Sequence, residues 1–133
     1  MRAFIKFNKG VLGMPIGWQL WLVTLVAVNG VGPLFFLGRL EAQAVLAAMM
    51  AGAALMTTLT ARFGFTRILG LGHVFWLPLL GFLLWRLGDI PASSAFGMWV
   101  RAVIVLDGLS LVIDAADVMR YVKGDRAETV AGL

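Results

Sequence analysis

Four side chains near the C-terminal end of the sequence have the types and spacing to handle a proton or a small cation. Asp107 is followed by Ser110, Asp114 and Asp117, at offsets of 3, 7 and 10 residues. At about 100° per residue of α-helix, these positions share an arc of about 80°. One helix face would therefore carry three carboxylates and a hydroxyl. Carboxylates exchange protons and offer oxygen to hard cations. The residues around them are apolar, and an Asp at the centre of a membrane helix costs about 2.5–3.5 kcal/mol to insert. Such groups face protein or water, and they mark ion and proton pathways.

His73 is the only histidine, and imidazole exchanges protons near physiological pH. Matching depths along antiparallel helices sets His73 opposite residues 113–114 and sets Asn29 level with Asp107. The same matching offers Asp89 to Arg101, with Arg86 nearby. The expected ion- or substrate-binding or proton-relay residues are thus Asp107, Asp114, His73, Asn29 and Ser110. The plainer reading is that His73 is a hydrogen-bonded structural residue and that the acids hold helices together. Asn29 opens the run Asn29-Gly30-Val31-Gly32-Pro33. There the missing proline donor and two glycines favour local unwinding, which can free carbonyls for a ligand. Pro78 has the same potential without the flanking glycines.

Other chemistry is harder to assemble. With no cysteine there is no disulfide framework, thiol nucleophile, Cys-ligated zinc or iron–sulfur cluster. A haem would have to use Met/His ligation or His73 across a dimer, and a zinc ion would have to draw on Asp114 and Asp117. No cofactor and no metal are therefore expected. Ser93 and Ser94 lie far in depth from His73, and Ser110 has no neutral base beside it. The chain is accordingly expected not to be an enzyme, a lipid-directed acid–base enzyme being the least favoured reading. Gly70-Leu71-Gly72-His73 lacks the strand that a phosphate-cradling loop requires.

These residues need elements to position them. Of 133 residues, 61% are hydrophobic and 14% charged, where soluble domains carry about 25% charged. Mean hydropathy is +0.93. Crossing a bilayer takes about 20 apolar helical residues. Four stretches qualify, at about residues 16–37, 41–61, 67–88 and 96–119. Their short connections predict an all-α integral membrane protein, a four-transmembrane-helix up-down-up-down bundle. Residues 1–15 form a basic amphipathic segment, expected to be retained and to lie on the inner leaflet. Residues 120–133 form a polar tail, expected to be mobile from Gly124 onward.

Eight of the eleven Lys and Arg, from Arg2, Lys6 and Lys9 through Arg62 and Arg67 to Arg120, Lys123 and Arg126, fall on one side of that bundle. The positive-inside rule makes that side cytoplasmic, with both termini there, in a cytoplasmic (inner) membrane. Trp18 and Trp21 would anchor one interface, and Trp85 and Trp99 the other, unless they fill the bundle. The net charge of +4 then reports orientation and not nucleic-acid binding. Ala44, Ala48 and Gly52 recur every four residues, as in helices that pack closely. Met49, Met50 and Met56 read as packing residues, and Thr57, Thr58 and Thr60 as bonded to their own helix.

Two functions compete. One is a small channel or carrier for protons or small cations that uses the acidic stripe. The other is a non-catalytic accessory or scaffolding subunit, docked through the Ala/Gly face. In either case the partners are the lipid bilayer and further membrane subunits, as a homo-oligomer or in a larger complex.

Overall fold

A computed structural model describes residues 2–130, and among them the chain is all-helical, with no strand. The α-helices are α1 (Arg2–Gly13), α2 (Ile16–Val26), α3 (Leu40–Phe63), α4 (Trp76–Arg86) and α5 (Ala95–Val122). A π-helical turn at Ala27–Val31 and a 3-10 stretch at Gly32–Phe36 prolong α2. Another 3-10 stretch, Arg67–His73, precedes α4. Four helical stretches are long and apolar enough to cross a membrane: Ile16–Phe36, Leu40–Phe63, Arg67–Asp89 and Ala95–Val122. They are called spans one to four below.

The local reasons for these elements are legible. Ser94 caps α5 by accepting a hydrogen bond from the Gly97 amide at 2.9 Å, which satisfies one of the free donors at the helix start. Gly64 ends α3 at a φ of 76°, where a side chain would be strained. Pro78 falls in the first turn of α4, where its missing N–H removes no helical bond. The threonines of α3 bond back as expected, Thr60 Oγ1 donating to the Met56 carbonyl at 2.9 Å. Span four runs three residues past its expected end at Met119, with Tyr121 edge-on to Phe63 at 6.4 Å.

The irregular stretches of spans one and three are fitted to two uninterrupted helices, α3 and α5. Phe96, Val100 and Val103 of α5 join Leu25, Val45, Trp76, Leu79 and Leu83 in a core drawn from all four spans. The outward face of the same helix is equally apolar, with Val105, Leu109 and Val112 exposed. Inside and outside therefore differ in their polar groups: among the described residues Asn29, Glu41, Thr60, Thr66, Asp107 and Ser110 are the ones buried. That distribution suits hydrocarbon surroundings, which offer polar groups no partner.

The small-residue row of α3 faces inward. A Cβ on Gly52 would stand 2.8 Å from the Gly72 carbonyl oxygen, and Ala44 and Ala48 pack against the core. Spans two and three consequently touch backbone to backbone.

The ends are held more closely than the sequence suggests. The N-terminal segment forms α1 and is not separate from the bundle. Phe7, Val11 and Met14, spaced four and three residues apart, make a stripe that packs on Leu59, Phe65 and Leu69. Phe4, Ile5 and Leu12 stay exposed on its other side. Nor is the tail loose as far as Val130. The Thr129 amide donates to the Phe65 carbonyl at 3.0 Å, and Lys6 Nζ meets Glu128 Oε1 at 2.5 Å. The apolar Val130, within a tail read as polar, packs on the same cluster. The last three residues of the tail lie outside the described ones.

Candidate functional site

The two deep acids of α5 each meet a stretch where another span departs from α-helix. Asp107 meets the π-turn of span one: Asn29 Nδ2 donates to Asp107 Oδ1 at 2.7 Å and to the Leu25 carbonyl at 3.0 Å. Both residues are 0% exposed. Seven residues on, Asp114 Oδ2 lies 2.6 Å from Nδ1 of His73, at the end of the 3-10 stretch. The His73 ring stacks on Trp76, with centroids 4.0 Å apart and planes within 2°. Ser110 is buried between the two acids, and Asp117 ends the stripe at Arg67, 2.6 Å away.

The π-turn has a specific cause. The Gly32 amide bonds to the Ala27 carbonyl, five residues back. In that register the Val28 carbonyl would bond to residue 33, which is Pro33 and has no N–H. Trp99 of α5 supplies the missing donor, with Nε1 2.8 Å from Val28 O. Gly32 makes room for the indole, because a Cβ there would overlap the Trp99 ring. Span one thus stays helical where unwinding was expected, and its freed carbonyl is taken by a side chain. Trp99→Phe is expected to lower stability by about 1–3 kcal/mol, the cost of a buried carbonyl left without a donor. Thermal unfolding in detergent would measure it, and an unchanged midpoint would refute the role given to the indole.

The matching of depths succeeds for His73 with Asp114 and for Asn29 with Asp107, but fails at the opposite end. Arg101 binds the carbonyls of Gly97 at 3.1 Å and Ile90 at 3.0 Å, while Asp89 is exposed and unbonded to it. Arg101 closes the loop onto α5 because those carbonyls are within reach and Asp89 faces outward. Arg86 pairs instead with the buried Glu41, at 3.0 Å. That pair was missed, although Glu41 begins span two and Arg86 ends span three, at the same end of the bundle. The aromatic belt is also only half present. Trp18 and Trp85 are exposed, whereas Trp21 and Trp99 turn inward.

Below Asp107, and bordered by Asp114, lies a cavity of about 650 Å³. Its walls are mainly apolar, from Trp18, Trp21, Met49 and Phe65, and its polar lining includes His73, Ser110, Asp114 and Asp117. α1 and Thr129 contribute to it as well. Beside it runs a chain of charges: Arg67 bridges Asp117 and Asp125, and Asp125 meets Arg120 at 2.9 Å. Asn29 and Asp107 are not part of the lining. The cavity therefore reaches Ser110, one turn short of Asp107. Among the described residues no group of three or more His, Cys, Asp or Glu could hold a metal ion.

Comparison with protein-family models, with characterised proteins and with solved structures finds no match for this chain. The class that the fold defines is an all-helical bundle with four helices able to cross a membrane. Any more particular reading rests on the site.

Proposed function

We propose that the chain is a small channel or carrier for protons or small cations, without catalytic activity. It crosses an inner membrane four times, up-down-up-down, with both termini cytoplasmic. The excess of cations on one side supports that orientation, and the contact of Lys6 with Glu128 supports termini on a common side. The observation that carries the functional reading is the cavity lined by His73, Asp114 and Ser110, which in this orientation lies toward the cytoplasm. Beyond it the occluded Asp107–Asn29 pair is the next polar step on the same helix face. Such an arrangement offers an ion a wet approach and a dry binding group, with Ser110 between them.

Asp107→Asn keeps the size and polarity of the side chain and removes its acid. Proton- or cation-dependent flux into proteoliposomes is expected to fall to background, while insertion and detergent solubility stay unchanged. Wild-type flux from the Asn variant would overturn the proposal.

The competing reading is an accessory subunit of a larger membrane complex. On its side stand Ala47 and Ala51, small residues of α3 four apart on an open apolar surface that would let a partner helix come close. Co-purification of a stoichiometric partner in mild detergent would favour it, and a clean homo-oligomer would count against it.

A further inference from the structure

Among the described residues, two buried side-chain oxygens in the membrane interior lack a hydrogen-bond partner, Asn29 Oδ1 and Asp107 Oδ2. They belong to the two groups that already share the 2.7 Å bond. The pair is therefore half satisfied: one donor joins it, and two acceptors face no donor. In hydrocarbon this shortage is costly, because no water can make it up. What the pair lacks is a positively charged or donating particle small enough to enter a closed space.

We propose that this particle is a proton carried on Asp107 Oδ2, and that the Asn29–Asp107 pair does not bind a metal cation. The inference rests on the reading of Asp107 as an ion-binding group and names the ion.

Ligand number decides between the two. Hard divalent cations gather about six to eight oxygens, and a channel that strips an alkali cation replaces its hydration shell with a ring of carbonyls. Here the pair offers two free side-chain oxygens. The nearby carbonyl of Val28 is held by Trp99, and that of Leu25 by Asn29 itself. Water cannot complete a shell, because neither residue lines the cavity. A proton needs one oxygen. Taken from water in the cavity, it forms an O–H bond on Asp107 Oδ2 and leaves hydroxide behind. The carboxyl becomes neutral and gains a donor, with Asn29 Oδ1 the free acceptor in the same pair.

No other charge can take its place. Span one has no ionisable side chain, and span two has none between Glu41 and Arg62. Span three presents only His73 between Arg67 and Arg86, and His73 is bonded to Asp114. On α5 itself the nearest ionisable groups are Arg101, bound to carbonyls, and Asp114. Ser110 lines the cavity one turn below Asp107 and gives the proton a polar step on its way in.

Infrared difference spectroscopy on the full chain in lipid vesicles tests this without requiring transport. The expected result is a C=O band of a protonated carboxyl that is lost in Asp107→Asn and shifted in Asn29→Ala. The band should be unaffected by Na⁺ or K⁺ in place of a large organic cation. The Asn29→Ala shift serves if the Asp107 variant fails to fold. Absence of the band, a band untouched by both substitutions, or its loss on adding Na⁺ or K⁺ would each overturn the proton assignment. Flux in proteoliposomes keeps the two proposals apart. Flux that requires Na⁺ or K⁺, with no such band, refutes the proton and retains a cation carrier. The band without flux retains the proton site and refutes transport.

Discussion

Gly70→Val is expected to destabilise the protein by about 3 kcal/mol, the upper end of what overpacking a core costs. Gly70 lies in the 3-10 stretch of span three, against α5. A Cβ there would stand 2.8 Å from the Asp114 carbonyl oxygen and 3.2 Å from its Cα. Those are backbone atoms in the middle of a long helix, so no side-chain rotation relieves the clash. Span three must move away from span four, and that movement pulls His73 from Asp114. Gly81→Ala is the control. It lies in α4 with nothing within 4 Å of the added Cβ, and the Ala should stabilise by up to about 1 kcal/mol through helix propensity. Unfolding in mixed micelles reads both. Equal losses in the two variants would show that close packing at Gly70 is not what joins these spans.

The second large effect is an asymmetry in a double-mutant cycle. Asn29→Leu leaves the Asp107 carboxyl buried with no partner among the described residues, at a cost of about 1–3 kcal/mol. Asp107→Leu is expected to cost less, because Asn29 Nδ2 keeps its bond to the Leu25 carbonyl. The double Leu variant should recover most of the loss, since two apolar side chains then replace a polar pair. The coupling should fall near the range for hydrogen bonds between membrane helices, about 0.6 and at most about 1.7 kcal/mol. The double variant should also be silent in flux, which separates holding the bundle from moving an ion. Purely additive losses would show that the pair contributes no coupling.

Much of this arrangement is legible without coordinates. The spans follow from apolar run length, a local property. The acid face of α5 follows from helical periodicity, which is set by backbone geometry alone. Depth matching works for His73 with Asp114 and Asn29 with Asp107 because these compact side chains lie well inside their spans and reach only groups at about their own depth. It fails for Arg101 and Arg86, whose long flexible side chains near helix ends can reach several acceptors. There the choice depends on which carbonyls the loop leaves free.

The sequence by itself determined the number of helices able to cross a membrane, the face on which the acids lie, and the weak point at Gly32-Pro33. Tertiary structure alone decided how that weak point is repaired. The change from α to π and then 3-10 alters the phase of span one, so the partner of Val28 cannot be read from a helical wheel. Trp99 supplies it from another helix. Only the assembled bundle closes Asp107 off from the cavity while admitting Ser110, because enclosure is made by residues from separate spans. It likewise brings the tail back onto α1, through an ion pair whose members lie 122 residues apart. Local periodicity carries no information about contacts at that separation; they exist only once the helices have packed.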